Sequence, residues 1–134
     1  MTSVMLDTSA YAAFMRGHPD IKVILQQAEQ ISMIPIVLGE LNAGFRLGNR
    51  RAQNERELTQ FLRSPRVSIR DVSDETAVRY AEIVLYLRRT GRPIPTNDIW
   101  IAASAMEHGL RIVTTDAHYT HLPQVIVDFR PVHL

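Results

Sequence analysis

Short apolar runs alternate along the chain with longer segments whose apolar residues recur every three or four positions. Val4–Leu6 is the first run, and it ends on the polar cluster Asp7, Thr8 and Ser9. Ile31–Ile34, Val67–Ile69, Ile112–Thr114 and Val125–Val127 repeat the pattern. Runs this short, without alternation, predict strands covered on both faces, as in a parallel sheet. Between them, Ile21, Leu25 and Ala28 share one helical face, and so do Ala77, Ala81, Val84 and Leu87. Asp74 is placed to cap the second of these helices, and Gly91 and Pro93 close it. A further helical stretch is expected after Pro35, with apolar positions continuing from Ile36 to Phe61. Segment Ile99–Leu110 is apolar nearly all round, broken by Ser104, Glu107 and His108, which predicts a helix buried against the sheet. Four or five strands separated by helices imply an α/β fold, a mostly parallel central sheet with helices on both faces. No repeat, low-complexity tract or linker divides the chain, so residues 1–134 read as one domain.

Composition excludes several classes. With 46% apolar and 22% charged residues, the 134-residue chain has an ordinary globular balance. The absence of cysteine removes a disulfide scaffold, a thiolate zinc site and a cysteine nucleophile, and it fits a reducing cytoplasm. No basic segment followed by an apolar run opens the sequence, and no apolar stretch approaches the roughly 20 residues of a membrane helix. A cytoplasmic protein without membrane association is expected. The 15 basic and 14 acidic residues give a net charge of +1, but Lys22 is the single lysine among 14 arginines. Guanidinium groups grip phosphate in bidentate fashion, which suggests nucleic acid. Arginine-rich codon usage produces the same skew, so the skew alone decides nothing.

Four acids stand in places where acids are awkward. In a parallel sheet, ligands bind outside the carboxyl ends of the strands. Asp7 ends the first strand and Asp116 follows the fourth, although either could equally cap a helix. Glu40 lies inside the apolar helix of IPIVLGELNAGF, where a buried carboxylate needs a partner, a metal or a raised pKa. Gly44, one turn on, leaves space above the Glu40 face. Asp98 opens the buried helix in PTNDIWIAASA, where the helix dipole also favours an acid. Clustered carboxylates repel unless a cation sits among them, and an all-oxygen set suits Mg²⁺ or Mn²⁺. With those 4 of the 14 acids in one pocket, 10 remain against 15 basic residues elsewhere. An acidic metal pocket on a basic body is the charge plan expected of a metal-dependent nuclease.

The same residues carry a family resemblance. VMLDTSAYAAFMRG is similar to the first motif of PIN-domain ribonucleases of the VapC toxin type, from bacterial type II toxin–antitoxin systems. IPIVLGELNAGFRLG resembles the second motif, and NDIWIAASAMEHGLRIVTTDAHY the third and fourth together. Tyr119 stands where the family more usually has phenylalanine. The resemblance runs from end to end and implies the three-layer α/β/α PIN fold. It implies Asp7, Glu40, Asp98 and Asp116 as catalytic, metal-holding acids, with Ser9, Asn97 and Thr115 as supporting polar residues. One or two Mg²⁺ or Mn²⁺ ions, a structured RNA substrate such as tRNA or rRNA, a homodimer and a small VapB-like antitoxin are implied likewise. A housekeeping PIN-domain nuclease of RNA processing, unpaired with an antitoxin, is the alternative.

Other readings fare less well. His118 and His121 are three apart, but Pro123 follows, and a surface loop is expected rather than a metal site. His18 sits in a turn and His133 beside the end of the chain. Trp100 and Tyr86 read as packing residues. A receiver or phosphatase would need a second acid near Asp7, where Ser9 stands instead. A degenerate binding module would not be expected to keep all four acids. Arg46, Arg50 and Arg51, after Glu40, and Arg88, Arg89 and Arg92, before Asp98, are candidate phosphate contacts. Surplus apolar residues between Ile36 and Phe61, namely Val37, Leu41, Phe45, Leu47, Leu58 and Phe61, suggest an interface. A basic antitoxin tail could then place an arginine among the acids.

Overall fold

A computed structural model describes residues 2–132. Strand β1 (Ser3–Leu6) leads through helices α1 (Thr8–Met15) and α2 (Pro19–Gln27) to β2 (Gln30–Met33). Helices α3 (Pro35–Leu47) and α4 (Arg51–Leu62) precede β3 (Val67–Ile69). The chain continues through α5 (Asp74–Thr90) and α6 (Thr96–His108) to β4 (Arg111–Thr114). A 3-10 turn over Ala117–His121 then leads to β5 (Val127–Phe129). The five strands are all parallel in the order β3-β2-β1-β4-β5. Successive residues of a strand point to opposite faces, yet Val4, Met5 and Leu6 are all fully buried. Both faces of the sheet are therefore covered, giving the expected α/β/α layering. Ile101, Ala102, Ala103 and Ala105 of α6 are equally inaccessible, as expected for that segment.

Three local expectations change. The stretch from Ile36 to Phe61 is two helices, broken at Gly48, Asn49 and Arg50. Most of its apolar residues complete the core: Val37, Leu41 and Leu58 are buried, while Phe45 and Phe61 pack against them. Leu47 alone is fully exposed, so no broad apolar patch lies there. Strand β5 is Val127–Phe129 rather than Val125–Val127, because its pairing with β4 begins at Val127 opposite Ile112. Helix α5 is capped by Ser73 rather than Asp74, and the Ser73 backbone N–H donates to Thr76 Oγ1 at 3.0 Å.

The strand order fixes where a site can lie. From β1 the chain builds outward to β2 and β3 on one side and to β4 and β5 on the other. The crevice of such a sheet opens at the carboxyl ends of the two strands flanking this reversal, here β1 and β4. Helices α1, α3 and the 3-10 turn start at that edge because each follows a strand directly. Helix α6 feeds β4 from the opposite direction, so its first turn lies there too.

Candidate metal centre

Asp7 leaves β1 and caps α1. Its Oδ1 accepts the Ala10 N–H at 2.8 Å and the Ser9 hydroxyl at 2.8 Å. Its Oδ2 accepts from Thr114 Oγ1 at 2.6 Å. Capping and site placement, which look like rival explanations in the sequence, are one arrangement here. The carboxyl is 3% exposed, and burial raises its pKa to about 6 against the lowering effect of those hydrogen bonds. Asp98 lies in the first turn of α6, and burial raises its pKa also. Its Oδ2 lies 2.9 Å from His118 Nδ1, and its Oδ1 accepts from the Tyr119 hydroxyl at 3.1 Å. Asp116 caps the 3-10 turn, accepting the His118 N–H at 3.0 Å, and its Oδ1 lies 3.1 Å from His118 Nδ1. Burial, and after it the negative charges of Asp7, Asp98 and Asp116, push the Tyr119 hydroxyl far above its usual range.

One ligand atom each from Asp98, Asp116 and His118 lies within 4.8 Å of the others. The chemistry of this donor set, two carboxylate oxygens and an imidazole nitrogen, fits a hard or borderline divalent cation. Asp7 lies close enough that the Asp98 charge adds, after burial, to the rise of its own pKa. Glu40 stands further off. It is half-buried on α3, and its Oε1 accepts from Thr8 Oγ1 at 2.6 Å, next in sequence to Asp7. It faces a cavity of about 480 Å³ whose walls include Thr8, Tyr11, Arg16, Gly44 and Arg50.

The supporting residues divide unevenly. Ser9 Oγ touches Asp7 and accepts the Thr115 backbone N–H at 3.1 Å. Thr115 thus contributes its main chain, and the side chain at work is that of Thr114, which also accepts the Asp116 N–H at 2.9 Å. Asn97 is exposed at the start of α6. Arg50 lines the cavity, Arg46 is exposed on α3, and Arg51 pairs with Glu55 along α4. Arg16 enters the cavity wall without having been singled out in the sequence; nothing in its local context marks it. His118 corrects the surface-loop reading: the turn after Asp116 folds its ring back onto the acids. His121 does stay outside, exposed and 3.1 Å from Arg92. His133 lies outside the described residues.

The chain matches the model of the PIN domain family over residues 4–124. Ribonuclease VapC4 of Mycobacterium tuberculosis is 32% identical over 92 residues, covering 69% of this chain and 71% of that protein. Ribonuclease VapC2 of Rickettsia felis is 30% identical over 129 residues, covering 92% and 95%. The crystal structure of VapBC2 from Rickettsia felis, bound to a DNA fragment from their promoter, contains a similar chain. It superposes with a TM-score of 0.81 at 27% identity over 95% of this chain and 98% of that one.

Proposed function

The chain belongs to the PIN domain family, and we propose that it is a metal-dependent endoribonuclease, the toxin of a VapBC-type toxin–antitoxin module. The observation that carries this reading is the convergence of Asp7, Asp98 and Asp116 on one sheet edge, with burial raising the pKa of Asp7 and of Asp98. Likeness to ribonucleases VapC4 and VapC2 along the chain supports the nuclease class, and likeness to the VapBC2 complex supports a VapB-like antitoxin as partner. The unpaired housekeeping nuclease is the weaker reading on the same ground. No helix among the described residues is long and apolar enough to cross a membrane, and the proposed place of action is the cytoplasm.

Asp98 and Asp116 would hold one or two Mg²⁺ or Mn²⁺ ions, with Asp7 beside them. Bound there, such an ion supplies Lewis-acid stabilisation of charge on the scissile phosphate and its leaving oxygen. Ser9 and Thr114 hold the Asp7 carboxylate in one orientation, so that it need not reorganise when substrate arrives. Glu40, in the cavity wall and oriented by Thr8 next to Asp7, would accept the proton of the attacking water. Attack on phosphorus with departure of the 3′ oxygen leaves a 5′-phosphate and a 3′-hydroxyl. Arg16 and Arg50, in the wall of the cavity that Glu40 faces, would hold the phosphate backbone there. The substrate is a structured RNA, tRNA or rRNA, whose stem presents a cleavable loop.

The test is cleavage of a labelled tRNA and rRNA fragment panel in the presence of Mg²⁺ or Mn²⁺. Cleavage that EDTA abolishes, and that Asp98→Asn loses with the fold intact, is the expected result. Undiminished activity in either case would sink the metal-dependent reading.

A further inference from the structure

His118 occupies a position that the proposed chemistry does not use. Its ring, 44% exposed, leans back from the 3-10 turn onto the acids, and Nδ1 lies 2.9 Å from Asp98 Oδ2 and 3.1 Å from Asp116 Oδ1. Adjacent ligands of an octahedral ion with bonds near 2.1 Å are separated by about 3 Å. Both separations thus have the length of an edge of such a shell. The three groups come from two elements of the crevice, the first turn of α6 and the turn after β4. They remain together although Asp98 is largely withdrawn from solvent.

Two oxygens alone would make the centre indifferent between the hard ions. An imidazole changes that balance, because nitrogen donors suit transition metals, whereas Mg²⁺ favours oxygen and keeps its waters. We infer that His118 is a ligand of this chain's metal centre, through Nδ1, and that it biases the centre toward Mn²⁺ over Mg²⁺. This rests on the metal-dependent reading above and specifies which ion the centre selects. The Tyr119 hydroxyl at Asp98 Oδ1 complements the arrangement, holding the carboxylate so that Oδ2 is turned toward the imidazole.

The experiment is pulsed electron paramagnetic resonance on Mn²⁺ added to the full chain freed of metal, together with Mn²⁺ titration under Mg²⁺ competition. Wild type is expected to show the nitrogen coupling of a bound imidazole, and His118→Ala to lose it. The variant's Mn²⁺ affinity should fall at least about tenfold, with Mg²⁺ affinity changed less than about twofold. His121→Ala, on the exposed neighbour, should keep both the coupling and the affinities. Bound Mn²⁺ without nitrogen coupling in wild type would overturn the assignment while leaving a carboxylate metal centre standing. Coupling that survives in His118→Ala would overturn it as well. Failure of wild type to bind Mn²⁺ at all would remove the metal centre itself. Since the nitrogen signal is read on the wild-type protein first, a variant that does not fold cannot obscure the outcome.

Discussion

Asp7 receives the Ala10 N–H and the hydroxyls of Ser9 and Thr114, and is still held near pKa 6, because burial outweighs all three. Its folded value lies above that of the unfolded chain, so the native state binds the proton more tightly. The resulting stabilisation is complete below about pH 4 and is lost as pH rises through about 6. The free energy at stake is about 3 kcal/mol. Asp7→Asn should therefore make the metal-free protein more stable above pH 6 while abolishing cleavage. Urea melts at several pH values in EDTA check this: the stability gap over wild type should widen between about pH 4 and 6 and stay level above about 7. A gap constant with pH would mean that Asp7 is not protonated where its burial requires. Thr114→Val removes a buried hydroxyl that bonds both Asp7 and the Asp116 N–H, and should cost about 1–3 kcal/mol. Asp7, Asp98 and Asp116, which meet at one sheet edge, stand out in the sequence by their places at two strand ends and a helix start, and Glu40 by its apolar helix. Thr114, His118 and Tyr119 do not, since their roles depend on how the turn after β4 folds over α6.

Among the elements, α3 combines two opposed demands. Gly39 and Gly44 lie within it, and a methyl group at either would meet nothing within 4 Å. Glycine inside a helix costs roughly 0.5–1 kcal/mol relative to alanine. Gly39→Ala should stabilise by about that amount and leave activity unchanged. Gly44→Ala should stabilise similarly but weaken RNA binding, because Gly44 forms part of the cavity wall beside Glu40. Thermal melts and RNA titrations on the pair separate the two effects; equal binding by both variants would take substrate out of this cavity. All five strands were legible from apolar runs, with β5 displaced by two residues. That error arose because Val125 packs against the core without pairing, so the apolar run begins before the ladder does. The break between α3 and α4 was missed because the apolar spacing resumes beyond it, concealing the turn at Gly48 and Asn49.

For the whole molecule, the charge plan sets the expectations. Arg50 lines the cavity beside Glu40, whereas Arg51 is engaged with Glu55 on the outside of α4. Arg50→Glu should weaken RNA binding and reduce the slope of log affinity against log salt by about one or two; Arg51→Glu should change it less. Filter-binding at several salt concentrations measures both, and identical slopes would show that the cavity does not carry the phosphates. A homodimer remains the expected state, but not through the stretch that first suggested it. Val78 and Leu85 are about half exposed and seven residues apart on α5, on one helical face. Light scattering on Leu85→Arg should report monomer where wild type reports dimer.

The position of β1 at the centre of the sheet has a consequence for synthesis. Its partners lie 27 and 107 positions further along the chain in the register of the ladder, Gln30 of β2 opposite Ser3 and Arg111 of β4 opposite Val4. A nascent chain emerging from the ribosome can pair β1 with β2 early, but its other edge stays open until β4 has been translated. Asp98 and Asp116 cannot face Asp7 before then. The crevice is therefore assembled in a single late step of synthesis, once β4 and the turn that carries Asp116 have joined the already paired β1.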